Sequence, residues 1–191
     1  NAITLTRMVL AVPLFVLILA EEQASWLAVT GWFLLSITDG LDGYIARREG
    51  TTRSGAFLDP IADKFLAVGG FLALAVRGDF AWIPVALVVG REVFVSVYRS
   101  LAGRRGISLP ARRLGKYKTS VQLLAVGVVL FPPLEDAVGF QTVMLWSAVV
   151  FTLASGADIA RHGWRQIAAS ERRTPPMRRA RRKRGYTSSS F

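Results

Sequence analysis

The 191-residue chain contains no cysteine and a single histidine, His162. The first absence excludes a disulfide framework, a thiolate metal site and a cysteine nucleophile. The second leaves one imidazole, in a polar run after the last apolar stretch and outside every motif, and it reads as an interfacial residue rather than a ligand or base. Acidic residues are also few, 13 against 24 Lys and Arg, for a formal charge of +11. So basic a chain suggests a nucleic-acid partner. That reading conflicts with 52% apolar residues and a mean hydropathy of +0.38, because a soluble protein cannot expose so much apolar surface without associating. A membrane protein with basic flanks accommodates both facts.

The charge is unevenly placed. The segment Glu171–Phe191 holds eight Lys/Arg and one acid, so +7 of the +11 belongs to a tail and +4 to residues 1–170. With two adjacent prolines, a serine run and few large apolar residues, residues 171–191 are expected to be disordered and to rest on an anionic bilayer surface rather than on nucleic acid.

Six apolar stretches precede the tail, at Ile3–Ala20, Ala24–Thr38, Ile61–Val76, Phe80–Tyr98, Thr119–Leu134 and Ala137–Ala157. A helix needs about 20 apolar residues to cross the hydrocarbon core. Only the sixth stretch reaches that length without a charge, so the others must borrow length from charged neighbours. If the six alternate in direction, Arg7, Arg47, Arg48, Arg53, Arg104, Arg105, Arg112, Arg113 and the tail fall on one face, and the other face holds only Arg77. The positive-inside rule then puts both termini in the cytoplasm. An N-terminal stretch with Arg7 before Met8–Ala20 could imitate a signal peptide, but five further stretches favour an anchor. The expected fold is all-α: a polytopic membrane protein of six transmembrane helices over residues 1–170, with its active site at the cytoplasmic end. The tryptophans Trp26, Trp32, Trp82, Trp146 and Trp164 are expected at span ends or facing lipid, and Pro13, Pro84 and Pro132 are expected to kink or end helices.

The chemistry concentrates between the second and third stretches. On a helix leaving the second, Asp39 and Asp42 are i,i+3 neighbours, and Gly43 and Ala46 extend their stripe. On a helix entering the third, Gly55, Asp59 and Asp63 stand four apart on one face, with Pro60 tolerable in the first turn. Any one of these acids could be a helix cap. Four carboxylates at a membrane edge repel one another unless cations neutralise them, and hard divalent ions suit an all-carboxylate set. Two such ions would balance four carboxylates and leave the site able to bind a diphosphate, while the small residues leave room beside the backbone.

The run from Asp39 to Asp63 reads D-x2-D-G-x2-A-R-x7-G-x3-D-x3-D. It resembles the signature of the CDP-alcohol phosphatidyltransferases at every fixed position. The resemblance extends from Asn1 to about Ile167. Three further segments, Gly55–Lys64, Arg91–Arg99 and Leu114–Gln122, look like the phosphatidylglycerophosphate synthase branch.

The resemblance implies an integral enzyme of the cell (inner) membrane, usually a homodimer, that displaces CMP from CDP-diacylglycerol with sn-glycerol 3-phosphate. It makes Asp39, Asp42, Asp59 and Asp63 the ligands of two Mg²⁺ or Mn²⁺ ions. Asp63 is also the implied general base, and Gly43, Ala46, Arg47 and Gly55 line the CDP-lipid pocket. An acceptor phosphate requires cations, for which Arg91, Arg99, Arg112, Lys116 and Lys118 are the candidates. Arg91 could instead pair with Glu92 or an Asp, and Lys116 and Lys118 diverge on a helix, so one of them at most points inward. Arg104 and Arg105 read as topological charges.

Four alternatives compete, one of them a synthase of phosphatidylinositol phosphate or phosphatidylserine from the same family. A cardiolipin synthase of the same family would use phosphatidylglycerol as acceptor and need fewer cations for a terminal phosphate. A divalent-cation transporter would need polar groups through the full membrane thickness, whereas the outer halves of the apolar stretches are almost purely apolar. A membrane anchor for nucleic acid would leave the four Asp unexplained.

Overall fold

The computed structural model describes residues 2–49, 55–104 and 113–173, with side chains over 6–38, 64–103 and 114–166 apart from Lys116. Among the described residues six helices follow one another: α1 (Ala2–Ala20), α2 (Trp26–Glu49), α3 (Gly55–Arg77), α4 (Trp82–Arg104), α5 (Arg113–Leu130) and α6 (Val138–Arg173), with a 3₁₀ turn at Pro132–Leu134. No strand occurs among the described residues, so the all-α expectation holds.

The helix ends follow local chemistry. Gly78 takes φ 100°, and the amides of Gly78, Asp79 and Phe80 all turn back to the carbonyl of Leu74 at 3.0–3.2 Å. This left-handed residue closes α3 without a Cβ penalty. Helix α5 stops at Leu130, short of the expected Leu134, because Pro132 and Pro133 have no N–H to continue the ladder. Pro13 lies inside α1 without ending it, and Pro84 sits in the first turn of α4. Pro60 is the sixth residue of α3 and thus belongs to its second turn rather than its first. Helix α6 runs sixteen residues past Ala157 into the segment expected to be tail, where Ala, Arg and Glu favour helix.

Helix α3 packs against α1, α4 and α5; α2 lies against α1 and α5, and α6 covers α4 and α5. The core is formed by Ile18, Trp32, Phe71, Leu74, Val126 and Leu130. Trp32 corrects the sequence expectation. It is fully buried, its indole N–H donates to the Leu123 carbonyl at 2.9 Å, and its ring lies against Gly70 of α3 beside Val126. A side chain at Gly70 would occupy the space of that ring. The other four tryptophans are exposed, as expected for an outer surface.

The exterior of the bundle is apolar. Leu27, Ile83 and Val150 are each more than 60% exposed, an arrangement water does not favour. Among the described residues one helix, over Val138–Gln166, is long and apolar enough to cross a membrane. Shorter apolar helical stretches lie at Thr6–Ala20, Trp26–Thr38 and Tyr117–Leu130.

One end of the bundle is closed by Arg77. Its Nε donates to Asp79 at 2.5 Å, and its NH1 reaches the carbonyls of Ile18, Glu21 and Gln23 at 3.4–3.5 Å. The start of α2 meets the end of α5 at the same level, where Trp26 and Phe131 pack edge to face. Successive helices therefore alternate in direction.

Candidate active site

The four signature aspartates divide between two helices, Asp39 and Asp42 on α2 and Asp59 and Asp63 on α3. Their side chains, and those of Gly43, Ala46, Arg47 and Gly55, lie outside the described residues, but the backbone register places them. The contact between Trp32 and Gly70 gives a common level on the two antiparallel helices. Asp39 stands seven residues beyond Trp32 and Asp63 seven residues before Gly70. Seven residues are about two turns, or roughly 10 Å of rise. Asp39 and Asp63 therefore share the helical faces of Trp32 and Gly70, at the same height and at the end opposite Arg77. The backbone thus carries the two pairs of acids to one level of the bundle, Asp39 and Asp42 on α2 and Asp59 and Asp63 on α3.

Toward the same end, the interior of the bundle contains a polar layer contributed by four helices. In α4, Arg91 and Glu92 are both buried, although they adjoin in sequence. Arg91 NH1 donates to Glu92 Oε1 at 2.9 Å, and its NH2 donates to Ser155 Oγ of α6 at 2.6 Å. The Ser155 hydroxyl in turn donates a hydrogen bond to the Thr152 carbonyl at 3.0 Å. Lys118 of α5 donates to the same Glu92 oxygen at 2.5 Å. Lys64 of α3 donates to Ser96, whose hydroxyl in turn donates to the Glu92 carbonyl at 2.6 Å. Beneath these, Gln122 donates to Thr152 at 2.8 Å, joining α5 to α6.

Room for the Arg91 stem comes from Gly156, where a Cβ would stand 3.1 Å from both Cγ and Nε of Arg91. One heptad along α6, Gly163 plays the same part for Tyr98, one heptad along α4. Two side chains of α4 thus seat on two glycines of α6.

The predicted cations separate accordingly. Lys118 is interior and paired with Glu92. Of the alternatives open for Arg91, pairing with Glu92 is the one observed. Arg99 is half-buried, and its Nε has no hydrogen-bond partner. Arg112 and the Lys116 side chain lie outside the described residues, as does Arg105. Arg7, expected to be a topological charge, is buried in α1. His162 contacts the Asp158 carbonyl at 3.0 Å and its carboxylate at 3.3 Å, half-buried near the end of the bundle, consistent with an interfacial residue.

Sequence reasoning missed the central place of Glu92, and with it Ser96, Gln122, Thr152 and Ser155. An acid within an apolar stretch was the available signal for Glu92, since a charge there needs a partner. Nothing comparable marked the hydroxyl residues.

A helical bundle with an apolar exterior and one polar interior layer, set level with a doubled aspartate motif, defines an all-helical protein built around an internal polar site. The family model for CDP-alcohol phosphatidyltransferases matches residues 1–154. The chain belongs to that family and is an enzyme of its class. It is 38% identical over 176 residues to a Mycobacterium tuberculosis protein named "Probable phosphatidylglycerophosphate synthase", covering 87% of this chain and 82% of that one. It is also similar to two proteins named CDP-diacylglycerol–glycerol-3-phosphate 3-phosphatidyltransferase. The Bacillus subtilis protein is 33% identical over 190 residues, covering 89% of this chain and 97% of the relative. The Haemophilus influenzae protein is 32% identical over 160 residues, covering 80% and 86% respectively.

Proposed function

We propose that the chain transfers the phosphatidyl group of CDP-diacylglycerol to sn-glycerol 3-phosphate, giving phosphatidylglycerophosphate and CMP. The observation that carries this reading is the complete aspartate motif, split between α2 and α3 and levelled by the Trp32–Gly70 contact, with a layer of buried cations toward the same end. In the reaction the acceptor hydroxyl attacks the phosphorus bearing the diacylglycerol, the bond from that phosphorus to the CMP oxygen breaks, and CMP leaves with the electron pair. Asp63 takes the hydroxyl proton as general base. Gly43, Ala46, Arg47 and Gly55 line the CDP-lipid pocket.

Asp39, Asp42, Asp59 and Asp63 are the residues that would hold two Mg²⁺ or Mn²⁺ ions. Bound there, the ions would neutralise the diphosphate and stabilise the departing phosphate oxygen.

The acceptor phosphate is met by Lys118, which has N–H donors beyond the one given to Glu92, and by Arg99, with Arg112 and Lys116 near the start of α5. Arg91 gives one donor to Glu92 and one to Ser155, which fixes its plane, and we assign it as a buttress. A lipid acceptor such as phosphatidylglycerol has less need of so many cations, and the name of the Bacillus relative points to glycerol 3-phosphate.

The six helices span the cell (inner) membrane as a homodimer, with the aspartate end and both termini in the cytoplasm. The apolar exterior, the alternating helix directions and the concentration of Arg at one end support this topology.

The test is CMP release by the purified protein from CDP-diacylglycerol with Mg²⁺ and either glycerol 3-phosphate or phosphatidylglycerol. Release is expected with the first acceptor and not the second. Absence of release with both, and with inositol phosphate and serine, refutes the reading. Asp63→Asn is expected to abolish turnover while retaining CDP-lipid binding, and wild-type rates in that variant would remove Asp63 as the base.

A further inference from the structure

The polar layer is a chain of contacts with a direction. Ser155 of α6 holds NH2 of Arg91, Arg91 NH1 holds Glu92 Oε1, and the same oxygen holds Lys118 Nζ of α5. Two buried cations thus share one carboxylate oxygen. The second oxygen, Oε2, is buried with no hydrogen-bond partner, on a side chain only 5% exposed. A lysine ammonium pairs with a carboxylate as a point charge and sets no direction by itself, whereas the guanidinium on the same oxygen does. Here the geometry spends one oxygen on two cations, tying α4 and α5 to α6 at a single point. Neither cation can move without disturbing the other.

We infer that Glu92 is a positioning residue for acceptor recognition: buttressed by Arg91 and Ser155, it fixes the Lys118 ammonium so that its remaining donors meet the phosphate of the acceptor alcohol. This rests on the reading of Lys118 as a phosphate contact. Glu92 itself touches no substrate. Its effect is on where a positive charge sits, and an ammonium on a flexible four-carbon stem needs such a tether. Arg91 suits the buttress, since its planar guanidinium offers donors in two fixed directions, one for Glu92 and one for Ser155.

The test is steady-state kinetics of the full chain in detergent with Mg²⁺, varying each substrate in turn, with glycerol as an acceptor lacking the phosphate. In Glu92→Gln, which keeps the shape and removes the charge, the KM for glycerol 3-phosphate is expected to rise about tenfold, the loss expected from one displaced charge-assisted contact. The KM for CDP-diacylglycerol should stay within about twofold, and preference for glycerol 3-phosphate over glycerol should fall by the same factor as the first change. A merely structural role would depress both acceptors alike and leave that preference intact, which would overturn the inference.

A second comparison removes the lysine together with the carboxylate, so that Arg91 is the one buried cation left beside the new amide. Glu92→Gln/Lys118→Gln should be no worse toward glycerol 3-phosphate than Lys118→Gln alone, since Glu92 acts only through Lys118. Additive losses would show that Glu92 acts by another route and overturn the assignment. Absence of CMP release from the unmodified protein would remove the underlying reading as well. Release from the unmodified protein with an unchanged KM in the variant would remove this inference alone.

Discussion

Gly156→Ala adds one methyl group, and two opposing effects decide its outcome. Alanine in a helix interior is favoured over glycine by about 0.8–1.0 kcal/mol, so a glycine in open space should be improved by the change. At Gly156 the added Cβ would stand 3.1 Å from both Cγ and Nε of Arg91. If Arg91 holds its place, overpacking costs about 1–3 kcal/mol. If Arg91 yields, its contacts at 2.9 Å to Glu92 and 2.6 Å to Ser155 stretch, and such charge-assisted bonds are worth roughly 1.5–3 kcal/mol each. Either response offsets the helix gain or outweighs it, so a net loss of up to about 2 kcal/mol is expected, or a melting temperature lower by up to roughly 8 °C for a chain of this size.

Gly90 provides the control, since nothing lies within 4 Å of a Cβ built there. Gly90→Ala should leave the melting temperature unchanged or raise it. Thermal unfolding of both variants in the same detergent measures the difference. A Gly156→Ala protein that gains as much stability as Gly90→Ala would refute the seating of Arg91 on Gly156.

Two further predictions concern other parts of the bundle. Trp32→Phe removes the indole hydrogen bond to Leu123 and leaves space beside Gly70. It should lower stability by about 1–3 kcal/mol and reduce kcat through the α2–α3 register that levels Asp39 with Asp63; unchanged thermal unfolding would contradict the buried position of the ring. Arg77→Met removes the clamp on the end of α1 and the ion pair with Asp79. It should lower stability by roughly 1–2 kcal/mol without changing either KM, and a raised KM for glycerol 3-phosphate would show that the two ends of the bundle are coupled.

Much of this protein is legible in its residues because the relevant signals are local. The Asp39–Asp63 spacing is written on two adjacent helices joined by a short connection, and helical periodicity alone puts each pair of acids on one stripe. The same short range makes Pro132 readable as the end of a helix. Helix α6 ran past its expected end because the apolar pattern stopped at Ala157 while helix-favouring residues continued.

Trp32 was misplaced for a different reason. A tryptophan in an apolar helix is equally at home against lipid or against another helix, and the glycine that receives it lies on a different helix. Arg7 was likewise counted by its charge alone, which carries no information about which way the first helix faces.

The all-helical class, the family, the paired acids and the asymmetry of charge between the two ends all follow from local patterns in the residues. Only the tertiary structure decided which cations are interior, and that Glu92 is the anion they share. Lys118 lies 26 residues from Glu92, and Ser155 lies 64 residues from Arg91. Periodicity tells which residues of one helix share a face, but not which helix that face meets. That follows from the packing of α4 between α3 and α6, with Gly156 small enough to let Arg91 lie against it.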